Sequence, residues 1–220
     1  MVIDHVVMLV PDAAALAETL RDVHGLGSER GAYMPFAGTR GYDVPLIPPA
    51  YVEVLGVEDR VAATKSESGR RALVCEARGG GLLGWAVLAD DLNAVSRRLG
   101  IEIFDYTIAH GDGTLRGWRA VSGPAHLPFF IDYPNNGDRV GRWQAMYDRV
   151  GHRSAPSGFI DLTISGSEGE MAAWLGPNAL PLKFVEGREG LREARIATAH
   201  GNVRLHAFEG QSHVSFARAD

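Results

Sequence analysis

The sequence has one cysteine, Cys75, in 220 residues, so no internal disulfide framework holds it together. No histidine lies near Cys75 in the sequence, and it reads as a small buried hydrophobe. No stretch approaches the roughly 20 apolar residues that a membrane span needs. The opening residues show no basic region followed by an apolar run, so no signal peptide is visible. A basic stripe is also missing: the 22 basic and 27 acidic residues are intermixed, for a formal net charge of -5. That argues against nucleic acid as a partner. Gly79-Gly80-Gly81 is not followed by Lys-Ser/Thr, so it is not a phosphate loop, and no Gly-x-Ser-x-Gly fragment supports a serine hydrolase. Together these absences predict a soluble, cytoplasmic protein that works on a small molecule, with no nucleic-acid or membrane partner.

What the sequence does have is one short pattern three times. Ile3-Asp4-His5-Val6-Val7-Met8-Leu9-Val10 reads as a strand and is followed by a helical stretch ending in Leu26-Gly27. Leu83-Gly84-Trp85-Ala86-Val87-Leu88 and Phe159-Ile160-Asp161-Leu162-Thr163-Ile164 repeat it, with helices ending in Leu99-Gly100 and Leu175-Gly176. The starts lie roughly 75 to 80 residues apart, room for one helix and several strands per copy. Repeated strand-helix-strands units build a sheet that curls around a space.

Along the chain, Asp12 is a helix cap, and Leu16, Leu20 and Val23 share one helical face. Residues 42–47 and 51–55 read as an antiparallel pair around Pro48-Pro49-Ala50, and residues 60–78 as a helix. Strands follow near 103–109 and 115–121, flanking Gly111-Asp112-Gly113, and again at 128–133. Val140, Trp143, Met146, Tyr147 and Val150 suggest a short amphipathic helix within a connector. Ser167-Glu168-Gly169-Glu170 fits a capping box, and Gly176-Pro177 a helix stop. A strand at 182–185 and a hairpin across His200-Gly201-Asn202 complete the third unit. The predicted division is residues 1–135 as paired units, 136–157 as the connector, and 158–220 as the third unit.

Ile3-Asp4-His5-Val6-Val7 with Pro11-Asp12, then Gly38-Thr39 and Tyr51-Val52-Glu53-Val54-Leu55, resembles the opening module of glyoxalase-like proteins of the vicinal oxygen chelate superfamily. Pro128-Phe129-Phe130-Ile131 resembles the last strand of a second module. The resemblance implies an α+β fold of tandem βαβββ modules forming a curved, cup-shaped mixed sheet, with a third βαβββ-like unit at the C-terminus. It also implies a divalent transition metal on the cup floor (zinc, iron, manganese, cobalt or nickel), with the metal-free alternative open. The matching ligand positions are His5 and Glu53 in the first module. In the second module Trp85 takes the first-strand position and donates no ligand. Asp132 falls in the fourth-strand position, unless a one-residue slip puts Ile131 there.

Each candidate has a plainer reading beside the functional one. His5 is a metal ligand or a core histidine, and Glu53 points into the cup or out to solvent. Asp132 is a third ligand or a base. His152 reaches back to the cup as a ligand or general base, or stays in its loop. Trp85, Tyr33, Arg40 and Trp118 are the substrate-binding candidates, with Arg116 on the same rim. Trp85 is otherwise core, and Arg40 otherwise solvated surface. In related glyoxalase-like domains a histidine sits near the Tyr33 position, which this chain lacks. His110 and His126 read as surface residues, and His200, His206 and His213 form no recognised ligand spacing. The implied activity is a metal-dependent lyase, isomerase or dioxygenase acting on a small organic substrate. The alternative is a metal-free protein that binds or sequesters a small molecule. Modules pair to make a cup, so the third unit either packs on the first two or finds its partner in another chain. The second option predicts a homodimer.

Overall fold

The computed structural model describes residues 1–109, 113–134 and 138–206, and the backbone of residues 214–217. His110, His213 and the turn at Gly111 and Asp112 lie outside the described residues. The first unit runs β1 (Val2–Leu9), α1 (Ala13–His24), β2 (Glu29–Arg30), β3 (Thr39–Pro45) and β4 (Tyr51–Val57). Helices α2 (Arg60–Ala63) and α3 (Glu67–Ala77) lead to the second: β5 (Gly81–Leu88), α4 (Leu92–Leu99), β6 (Phe104–Ala109), β7 (Leu115–Val121) and β8 (Phe129–Asp132). After α5 (Arg139–Arg149) come β9 (Gly158–Ser165), α6 (Glu168–Leu175), β10 (Leu182–Val185), β11 (Gly190–Thr198), β12 (Gly201–His206) and β13 (Val214–Ala217). None of the described helices is long and apolar enough to cross a membrane.

Local chemistry sets the element ends. Asp12, Asp91 and Ser167 each accept a backbone N–H from the third residue on, which starts α1, α4 and α6. Gly25 ends α1 in the left-handed region at φ 67°, where its N–H bonds back to the Arg21 carbonyl. At Gly41 the constraint is space: a Cβ there would lie 1.7 Å from the Val54 carbonyl oxygen, so only glycine lets β3 lie against β4.

The first two units join in one eight-stranded sheet of order β2-β3-β4-β1-β5-β8-β7-β6. Each half is a mirror of the other in sequence order, with the first strand parallel to the fourth and the two first strands antiparallel at the centre. This is the paired-module cup expected from the sequence. β1 is buried along almost its whole length because both faces are covered, which explains its lack of polar alternation. Val6, Met8, Val52, Val54, Val87 and Phe130 lie on the convex side with Leu20 of α1 and Leu92 and Val95 of α4.

The third unit repeats the element order but not the pairing. Its sheet runs β10-β9-β11-β12-β13, so the strand after the helix pairs directly with β9. Leu162, Ile164, Ala194, Ile196, Val203 and Leu205 from this sheet enter the same core as the first two modules. The third unit therefore shares the core of its own chain. Each such large apolar side chain contributes about 1.5–3 kcal/mol on burial.

Trp174 of α6 is the key of this junction. Its indole packs on Phe130 with centroids 5.9 Å apart, and its Nε1 donates to the Pro128 carbonyl at 2.8 Å. Trp174→Ala leaves a cavity and an unpaired carbonyl, and is expected to cost about 3–5 kcal/mol. Urea unfolding followed by circular dichroism measures it.

Candidate functional site

The concave face of the eight-stranded sheet encloses a cavity of about 590 Å³. On β1 the pairing with β5 slips by one residue between Ile3 and His5, which makes Asp4 the extra residue of a β-bulge. The bulge turns Asp4 into a fully buried position and leaves His5 and Val7 facing the cavity. Asp4 is held three ways. It accepts from His5 Nδ1 at 2.7 Å, from Tyr133 Oη at 3.0 Å and from Arg139 at 2.6 Å. A carboxylate already paired with Arg139 is an acceptor only, so the His5 proton sits on Nδ1 and the lone pair on Nε2 is left for the cavity. The His5 ring stacks on Tyr51 at 4.6 Å, and Tyr51 stacks on Trp143 of α5 at 4.2 Å. His5 is thus fixed in tautomer and in orientation.

Glu53 lies on β4 opposite Val7, next to Tyr51 on the same face, and is 8% exposed. Directly across from it on β3 is Asp43, which also lines the cavity. Burial, then the nearby charges of Asp43 and Asp4, push the Glu53 carboxyl up to about 8. Burial and Glu29 push Asp43 up to about 7, against the opposing charge of Arg116. At neutral pH the wall that carries His5 therefore also carries Glu53 with its proton largely in place and Asp43 about half protonated.

The second module supplies a different surface. Phe129, Ile131 and Gly84 line the cavity, with Tyr106 and Trp118 stacked at 5.2 Å and Phe36 against both. The connector is a wall rather than a tether, since Arg139, Arg142, Trp143 and Met146 of α5 all line the cavity.

Of the expected residues, His5, Glu53, Trp85 and Trp118 line this cavity, and Asp132, Tyr33, Arg40 and His152 do not. Asp132 faces away, because β8 pairs with β5 in the register that points Phe129 and Ile131 inward. Its carboxylate is held by Arg119, with Nε at 2.9 Å. Trp85 borders the cavity, but it pairs with core-facing Val6, is 1% exposed, and belongs to the core with Val87 and Phe130. Arg40 binds Glu58 at 2.7 Å and lies over the Tyr33 ring, and neither residue lines the cavity. His152 accepts the Gly27 N–H on Nδ1 at 3.0 Å, and burial pushes its pKa down, so it pins the connector to the first module as a neutral ring. The sequence reading passed over Asp4, Asp43, Tyr51, Tyr133 and Arg139. Signals for two of them were present: Asp4 is a lone carboxylate in an apolar strand, and Asp43 shares the parity of Thr39 and Gly41 on β3.

Whether the cavity suits a divalent ion follows from its donors. The first module offers His5 Nε2, Glu53 and Asp43. The matching second-module positions are Ala86 and Ile131, which have no ligand atom. Among the described residues, no three His, Cys, Asp or Glu donors in the cavity lie within 4.8 Å of one another. The donor set does not fit a resident ion.

Two measurements check this electrostatic picture. A carboxyl with a raised folded-state pKa favours folding while protonated, and that contribution is lost as pH rises from the ordinary carboxylate range to the folded value. Wild type is therefore expected to lose stability between about pH 5 and pH 8. Glu53→Gln is expected to flatten that slope in thermal melts across the range. Arg139→Met strands the buried Asp4 charge and is expected to cost about 3–5 kcal/mol in denaturant unfolding.

Comparison with known proteins bears on the fold. The "Glyoxalase-like domain" family matches residues 3–177. No curated protein matches the sequence significantly. Among solved structures, a hypothetical protein from Staphylococcus aureus superposes with a TM-score of 0.63 at 14% identity, covering 97% of this chain and 87% of that one. A Streptomyces coelicolor methylmalonyl-CoA epimerase gives 0.46 at 16% identity over 61% of this chain and 98% of its own. The Mycobacterium tuberculosis methylmalonyl-CoA epimerase gives 0.42 at 19% identity over 59% and 84%. With its paired modules and a family match over most of its length, the chain belongs to the glyoxalase-like domain family of the vicinal oxygen chelate superfamily.

Proposed function

We propose that this protein is an isomerase or lyase that moves a proton on a small organic substrate held in the cup. The observation that carries this reading is the buried Asp4 carboxylate on His5 Nδ1, which leaves Nε2 as a base facing a cavity of about 590 Å³. Such a cavity has the size of ordinary small-molecule sites. His5 removes a proton from a carbon next to a carbonyl, and Asp4 stabilises the imidazolium that forms. Glu53, protonated near neutral pH, donates to the oxygen on which charge develops. Asp43 shares that wall and sets the local charge. Arg116 and Arg142, which also line the cavity, favour a substrate with an anionic group. Tyr51 and Trp143 keep the His5 ring from turning.

A second reading, a binder that sequesters small molecules, draws on the Phe36, Tyr106 and Trp118 cluster, since an aromatic wall holds a flat ligand without chemistry. One experiment separates the two. The protein is incubated in D2O with a panel of small carbonyl acids, and carbon-bound proton exchange is followed by NMR. The enzyme reading expects exchange that falls by about 100-fold or more in His5→Ala while ligand affinity stays within about tenfold. Tight binding without exchange, lost in Trp118→Ala and kept in His5→Ala, would replace it with the binder.

A further inference from the structure

Outside the cup, three donors meet on the seam between the second module and the third unit. His126 comes from the loop before β8, Glu170 from the first turn of α6, and Glu189 from the turn before β11. One ligand atom from each lies within 4.8 Å of the other two. His126 Nε2 is 3.2 Å from Glu170 Oε2, and its Nδ1 is 3.7 Å from Glu189 Oε2. The Nε2 atom is buried, yet the Glu170 contact does not have hydrogen-bond geometry, and no other partner fills it. A close approach without a hydrogen bond is unusual for a buried ring nitrogen. It is the arrangement of two ligands on one small ion: donors about 2.0–2.1 Å from a tetrahedral zinc stand about 3.3–3.4 Å apart.

We propose that His126, Glu170 and Glu189 form a binding site for a divalent transition ion, separate from the cup. One imidazole and two carboxylates suit zinc or cobalt, with water completing the shell. A groove lined by Arg78, Gly81, Gly187 and Glu189 reaches His126 and gives the ion an entry path. Arg188 and Arg192 line the same groove and oppose a cation, which weakens its binding.

The placement gives the ion a structural task. Residues 122–125 and Leu127 line the cup, so the loop carrying His126 is part of its wall. At Gly123 a Cβ would lie 2.2 Å from the Trp174 ring, so α6 already presses on this loop. An ion shared by the loop, α6 and the β11 turn locks the cup wall to the third unit.

The test is a titration of chelator-stripped protein with Co2+, read by visible absorption, and with Zn2+, read by calorimetry. One ion per chain is expected, together with a rise in thermal midpoint. His126→Ala, and separately Glu170→Gln with Glu189→Gln, are expected to weaken binding by at least about tenfold. The double variant His5→Ala with Glu53→Gln is expected to titrate as wild type. The carboxamide pair keeps side-chain shape, so it reads the site even if His126→Ala folds poorly. Absence of uptake at sub-millimolar ion, binding that survives the carboxamide pair, or binding lost only in the cup variant would each overturn the site.

Discussion

The structure depends on one buried charge. Asp4 has no exposure to solvent, and a lone carboxylate at that depth costs far more than its hydrogen bonds return unless a cation is brought to it. The cation comes from Arg139, on a helix 135 positions later in the chain. That pairing draws α5 over the open side of the cup, where Trp143 reaches the Tyr51 ring. The same carboxylate fixes the tautomer of His5. Closure of the cavity and the fixed orientation of the His5 ring thus both draw on one ion pair, and neither is available to the first module alone.

The repeated pattern was legible because it is local. A strand of apolar residues, an aspartate or serine cap, a helical stripe and a glycine exit all read directly from nearby positions. His5 and Glu53 came from the resemblance of Ile3-Asp4-His5-Val6-Val7 and Tyr51-Val52-Glu53-Val54-Leu55 to the opening glyoxalase-like module, and those motifs are themselves local. Register is what the sequence left open. Asp132 and Ile131 differ by one position, and a period of two turns that single step into opposite faces. The pairing of β8 with β5 decides it, through packing of Phe130 in a core assembled from all three units. Trp85 turns on the same point: the Asp4 bulge displaces the alignment of the two first strands, so the residue matching His5 across the sheet is Ala86.

Long-range pairs were out of reach in another way. Nothing near Arg139 in sequence announces a buried acid, and nothing near His152 announces the Gly27 amide. Both lie in the segment read as a connector, and both serve the first module. The third unit shows the limit of element order as a guide. Its strand-helix-strands sequence matches the others, yet β10 pairs where a fourth strand pairs in the first two modules. Order was written in the sequence; pairing was set by which faces needed covering.

The two halves of the cup share topology and divide the work. The first module places His5, Tyr51, Asp43 and Glu53 on the cavity, while the second answers with Gly84, Phe129, Ile131 and the Tyr106–Trp118 stack. A symmetric cup with ligands from both halves suits an ion at its centre. Here the polar groups sit on one wall and the apolar ones on the other, an arrangement that matches the proton-transfer reading proposed above. Burial is the largest cause of the raised Glu53 and Asp43 carboxyls, with the charge of Asp43 adding to it at Glu53 and that of Glu29 at Asp43. The acids that line the cavity, Glu29, Asp43 and Glu53, all come from the first module, so the carboxyls that stay protonated to higher pH are gathered on one wall.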